Sequence, residues 1–270
     1  AVQSVRCTVQ CRACNAERSA ERAGDSVFWV NGNRWLRAYG VFPHPNIFGG
    51  YLALAVAWLV LNKKNLESDG KLVYWTLFAL LGLGLLLTMS QGAWLALIAA
   101  TIVYTTSARI NWKKWLLPIF ACLTALFAAV SWLDTSWIGV LPESIADRFV
   151  LAQRALRQFR EMPVLGTGAG NYIEAISNGG TTSAWWNYQP VHHVGLLIIA
   201  EFGLVGLVIL SWSAWRLLKE FWIGMNASQL ALITMFITIG FVDHYLWTQW
   251  SGFVLMVVGI AMMVQMKSYD

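Results

Sequence analysis

Seven runs of mostly apolar residues dominate the chain, near 46–62, 71–89, 91–108, 115–133, 192–215, 229–246 and 250–266. A helix of about twenty such residues is what the hydrocarbon core of a bilayer requires. With 57% apolar and only 12% charged residues, the chain lacks the material for a soluble surface. The expected fold class is all-α: a polytopic transmembrane helix bundle of about seven spans, with one large external loop containing an amphipathic helix.

Four segments follow. Residues 1–30 are unassigned and read as a disordered or artefactual start. Residues 31–133 hold spans one to four, 134–191 the external catalytic loop, and 192–270 spans five to seven. Cys7, Cys11 and Cys14 have a spacing similar to an iron–sulfur motif, but membrane spans follow where a soluble barrel would be needed. Cys122 lies alone in an apolar run and reads as a small packed side chain.

Loop charge sets the orientation, because short cytoplasmic loops retain Lys and Arg. Lys63, Lys64 and Lys71 separate the first two runs, Arg109, Lys113 and Lys114 the third and fourth, and Arg216 and Lys219 the fifth and sixth, while Lys267 follows the seventh. The alternate connections at Ser90-Gln91 and around Thr248-Gln249 carry none, so they face outward together with 31–45 and 134–191. Arg37, His44, Asn46, Gln91, His192, His193, Asp243 and His244 therefore gather on the external face. The net charge of +5 belongs to topology and not to a nucleic-acid surface, since the cations are scattered between apolar runs.

Within the long loop, Ile145, Phe149, Ala152, Leu156 and Phe159 form an apolar stripe, which predicts an amphipathic helix over 144–162. Arg148 and Arg160 flank that stripe; Arg154 and Arg157 point away. Pro163, Gly166, Gly168 and Gly170 end the helix and turn the chain back toward the membrane. The glycine run follows a helix and not a strand, so neither a Rossmann nor a P-loop geometry is supported.

Four stretches carry the polar chemistry: Arg37-Ala-Tyr-Gly-Val-Phe-Pro-His-Pro-Asn46; Thr88-Met-Ser-Gln-Gly-Ala-Trp94; Arg148 through Pro163-Val-Leu-Gly-Thr-Gly-Ala-Gly-Asn171; and Pro190-Val-His-His-Val-Gly-Leu-Leu197 followed by Glu201-Phe-Gly-Leu-Val-Gly206. In this order they resemble the O-antigen ligase and O-antigen polymerase superfamily of membrane glycosyltransferases, in its C-terminal portion. Gln91 departs from the Arg of the family pattern, and His193 from its Asn. The resemblance implies metal-independent transfer of a glycan from an undecaprenyl-pyrophosphate carrier to an acceptor hydroxyl on lipid A core, a growing polysaccharide or a protein. It places the protein in a bacterial inner membrane with its active site on the periplasmic face. It also implies further spans before residue 31.

Residue chemistry agrees with that reaction. A neutral imidazole is suited to take the acceptor proton, and the resemblance implies that His192, which matches the family's motif histidine, is that base, an interfacial anchor of span five being its other reading. The leaving pyrophosphate needs fixed cations or a metal, and with no Asp-x-Asp pair in the outer segments Arg148 and Arg37 are the expected cations. His193, Gln91, Asn46, His44, Arg157, Asp243 and His244 are the expected substrate contacts; the structural alternatives are a cap on span one for His44 and Asn46, a solvated helix face for Arg157, an interfacial role for His193 and a pair closing the bundle for Asp243 and His244. No cofactor or metal is expected, and the partners are the lipid-linked donor, the hydroxyl acceptor and membrane lipid, with no nucleic acid. A transporter or channel is the competing class, and it calls for ionisable groups or broken helices near the bilayer midplane.

Overall fold

The computed structural model describes residues 26–30, 33–132, 143–177 and 188–267. Strands β1 (Val27–Val30) and β2 (Asn33–Leu36) form a small antiparallel hairpin, pairing Val27 with Leu36 and Phe28 with Trp35. Among the described residues every other regular element is a helix. In chain order these are α1 (Pro45–Leu61), α2 (Lys63–Thr88), α3 (Gln91–Thr106), α4 (Trp112–Trp132), α5 (Glu143–Glu161), α6 (Tyr172–Ser177), α7 (Val194–Ile223), α8 (Ala227–Val242), α9 (Tyr245–Thr248) and α10 (Trp250–Lys267).

Each apolar run of the sequence coincides with one helix except the sixth, which continues past the end of α8 into α9. Among the described residues three segments, Gly70–Thr88 of α2, Trp112–Val130 of α4 and Val194–Arg216 of α7, are long and apolar enough to cross a membrane. The apolar helices α1, α3, α8 and α10 are shorter. Leu72, Leu80 and Leu83 on α2 and Val208, Ile209 and Trp212 on α7 are exposed, a surface suited to lipid and not to water. Cys122, expected to be packed, is exposed on α4 among such residues. The cysteine motif at 7–14 lies outside the described residues.

The chain divides into two compact units, 1–91 and 92–270. In the first, α1 packs against α2, with Ile47, Ala53, Leu54 and Leu59 buried. Helix α1 begins where His44 accepts the Asn46 N–H and Pro45, which has no N–H to leave unpaired, occupies the first turn. In the second unit, α5 packs on α7 and α4, and α6 also meets both α5 and α7. Leu151, Ala152, Ala155, Leu156, Tyr172, Leu196, Leu197 and Ala200 close one core there. Burying a Leu side chain contributes about 1.5–3 kcal/mol, enough for Leu151, Leu156 and their neighbours to hold α5 in place.

The packed face of α5 is rotated from the predicted stripe. Leu151, Ala155 and Gln158 join Ala152 and Leu156 in the interior, whereas Ile145 is 42% exposed. The shift brings Arg148 onto the packed side.

Candidate functional site

In the first unit the first two sequence motifs meet around one guanidinium. Arg37 donates from Nε to the Thr88 carbonyl (2.7 Å) and from Nη2 to Asn46 Oδ1 (2.6 Å). Thr88 ends α2, and the next residue, Met89, has φ +48°, a left-handed conformation that stops the helix. Arg37 thus takes up a carbonyl that the helix end leaves without an intrahelical donor. His44 contacts Ser26 Oγ through Nε2 (2.9 Å) while its Nδ1 caps α1. Gln91 is exposed at the start of α3.

In the second unit the glycine turn docks backbone to backbone on a break in α7. Gly203 has φ +62° and ψ −162°, which interrupts the helix. Thr167 and Gly168 donate to the carbonyls of Ala200 and Glu201 (3.0 and 2.8 Å), and Leu204 and Val205 donate to those of Pro163 and Val164 (2.9 and 3.1 Å). The groups freed by the break are paired, as a low-dielectric setting demands. Only glycine serves at two positions here, because a Cβ on Gly166 would overlap the Glu201 carbonyl group and one on Gly203 the Val164 carbonyl group. The third and fourth motifs are two halves of one backbone junction.

That junction positions a histidine and carboxylate cluster. His192 lies just before α7, and its Nδ1 is 3.5 Å from Asp243 Oδ1. This is longer than a well-formed hydrogen bond, and the buried Nδ1 has no hydrogen-bond partner among the described residues. Asp243 is buried, and its Oδ1 also accepts the His244 N–H at 2.7 Å. The sequence extends the sixth run to 246, but α8 ends at Val242 because Asp243 adopts extended backbone. This break turns Asp243 and His244 toward His192, whose ring centroid is 5.1 Å from that of His244. His244 Nδ1 lies 2.6 Å from Thr248 Oγ1.

Arg148 reaches the same place from α5, donating from Nη1 to the Val242 carbonyl at 2.9 Å. It makes one of the five N–H bonds a guanidinium offers, and no other partner is found among the described residues. Arg157 is exposed, as its place on the outer face of α5 requires.

His193 packs among aromatic rings. It is 3% exposed, stacked on Phe127 (5.7 Å, 9°) and edge-on to Phe241 (4.8 Å, 61°). Its Nδ1 accepts the Leu196 N–H at 3.3 Å, capping α7. Burial pushes its pKa down to about 4, so this ring is held neutral.

Glu201 is the site residue that sequence reasoning quoted in a motif but gave no role. It is buried within the apolar span of α7, and its Oε2 accepts Trp247 Nε1–H at 3.2 Å, tying the short α9 turn to α7. A lone carboxylate in an apolar run was the available signal. An open cavity of about 800 Å³, lined by Arg109, Trp112, Lys113 and Met225 among others, lies at the other end of α8 from Asp243 and takes no part in the cluster.

Long apolar helices with a polar cluster at their ends define a multi-pass membrane protein. The chain belongs to the O-antigen ligase family, whose model matches residues 75–211, half of its length. Membership assigns it to glycan transfer in envelope polysaccharide biosynthesis, with a lipid-linked glycan donor and an acceptor as its general partners. The match includes Gln91, Arg148, Arg157, His192 and His193 but not Arg37, His44, Asn46, Asp243 or His244. No curated protein matches the chain.

Proposed function

We propose that this protein transfers a glycan from an undecaprenyl-pyrophosphate carrier to an acceptor hydroxyl at the outer face of the bacterial inner membrane, with His192 as general base. The observation that carries the reading is the His192–Asp243 contact of 3.5 Å at the mouth of α7. A proton on Nδ1 directed at the carboxylate leaves the Nε2 lone pair to take the acceptor proton. The acceptor oxygen then bonds to the anomeric carbon as the bond from that carbon to the pyrophosphate oxygen breaks. The pyrophosphate leaves with the bonding pair.

Arg148 is the cation for that leaving group in this reading. Its unused N–H groups suit two phosphate oxygens, and its bond to Val242 holds it beside the Asp243 turn. Arg37 serves as a second cation or as a clamp on the Thr88 turn, while Asn46, His44, Gln91, Arg157 and His244 contact substrate. No catalytic metal is invoked. All seven apolar helices cross the membrane in this proposal, the four shorter ones included, and the distribution of loop charge supports an orientation with Asp243 and His192 outside.

One feature favours the transporter reading. Helix α7 is broken inside its apolar span, and broken helices build transport sites. Here, however, the loop at 163–168 takes the carbonyls of Ala200 and Glu201 and the amides of Leu204 and Val205. The break stabilises a junction instead of offering its backbone to cargo.

The test is glycan transfer from a defined lipid-linked donor by the purified full-length protein. His192→Ala should lower turnover by about two to four orders of magnitude with donor binding retained. Transfer near the unsubstituted rate by a folded His192→Ala protein removes the assignment.

A further inference from the structure

We propose that His192, Asp243 and His244 also form a binding site for a borderline-soft divalent cation such as zinc(II), and that its occupation switches glycan transfer off. The inhibitory part rests on the reading of His192 as base; the site itself rests on geometry. One ligand atom from each of the three residues lies within 4.8 Å of the other two. Typical Zn–N and Zn–O distances of about 2.0–2.2 Å place two tetrahedral ligands roughly 3.4 Å apart. His192 Nδ1 and Asp243 Oδ1 are separated by 3.5 Å, too long for a good hydrogen bond and close to that spacing.

Three further observations support the site. The Nδ1 atom of His192 is buried and has no hydrogen-bond partner among the described residues, so a cation there displaces only the long 3.5 Å contact with Asp243. Asp243 is fixed by the His244 N–H and by the end of α8, so two ligands come from one preorganised turn. Imidazole with one carboxylate is a donor set that zinc accepts, with a fourth position left to water. Arg148, held at Val242, opposes added positive charge, which makes the site weaker than a closed structural zinc centre.

Occupation and catalysis exclude each other. A cation on Nδ1 takes the lone pair that becomes available when the Nδ1 proton leaves. The remaining ring proton of neutral imidazole then sits on Nε2, the atom that must be unprotonated to act as base. The metal converts the base into a donor.

The experiment uses the full-length protein in nanodiscs with Cys7, Cys11 and Cys14 replaced by Ser, because those thiols would themselves take zinc. Equilibrium dialysis with zinc(II) should give one ion per chain, with affinity weakened about tenfold or more in His244→Ala and in Asp243→Asn. Tryptophan fluorescence melting confirms folding, and His244→Gln substitutes for a variant that fails to fold. Zinc should lower transfer by the Ser-substituted parent, with recovery on adding a chelator. Zinc binding that is absent, or equal in the parent and both variants, overturns the site. Transfer abolished by chelation alone overturns the inhibitory sense in favour of a required metal. One-to-one binding lost in the variants, combined with full transfer by His192→Ala, upholds the site and overturns the base reading.

Discussion

The Arg148 guanidinium donates to the main-chain carbonyl of Val242, 94 residues further along the chain, at 2.9 Å. The bond joins α5 to the residue that ends α8, immediately before the carboxylate facing His192. Arg148 therefore has a positioning duty besides the phosphate contact proposed for it. Arg148→Ala should reduce both donor affinity and turnover. Lys should rescue poorly, since a single ammonium does not reproduce a planar fork that holds Val242 and two phosphate oxygens together. Donor binding and single-turnover rates measured separately check this; full rescue by Lys would argue for a simple charge.

Orientation is tested by reporter fusions to the full-length chain. A reporter active only outside the cytoplasm should be active when fused at 178–185 and silent when fused at 66–69, between Lys63 and Lys71. The opposite pattern would turn the His192 cluster to the cytoplasm and remove the proposed periplasmic chemistry.

The helices were legible in the sequence because lipid forces long apolar runs, and all but the sixth run coincide with a single helix. The α5 helix was legible from its period, though not the rotation that buries Leu151 and Ala155 and carries Arg148 inward. Contacts with α4 and α7 decide that rotation, and sequence spacing does not hold them. His192 and Asp243 were both named, but hydropathy kept Asp243 inside a span when its extended backbone in fact breaks the helix. The 163–168 junction left only glycines as its trace. Its bonds run between main-chain atoms, which carry no side-chain signature.

The junction gives a stability prediction. Gly203 has φ +62° and ψ −162°, where a side chain costs about 1–3 kcal/mol, and an added Cβ must also displace the Val164 carbonyl. Gly203→Ala should lower the melting temperature of the detergent-solubilised protein by roughly several degrees and reduce transfer in parallel. Gly82, with nothing near its Cβ direction, is the control, and Gly82→Ala should melt close to the parent. Equal melting of the two variants would show that the junction adds little.

Asp243 supplies the sharpest test of how His192 is set. Its carboxylate accepts the His244 N–H and faces His192 Nδ1, so in the proposed mechanism it favours the tautomer with a free Nε2 lone pair. Asp243→Asn keeps the shape but loses the charge, and because one atom, Oδ1, meets both the His244 N–H and His192 Nδ1, an amide turned to donate its NH2 toward Nδ1 also gives up the His244 bond. That donation favours a proton on Nε2, where none is wanted. Turnover should fall by about two to four orders of magnitude, the range of lost general base catalysis, with donor affinity changed little. Nitrogen-15 spectra of histidine-labelled protein should show the His192 tautomer reversing between parent and variant, and Asp243→Glu should recover part of the rate. A loss of rate with the tautomer unchanged would make Asp243 a packing residue of the α8 end, and an unchanged rate would take the carboxylate out of the mechanism altogether.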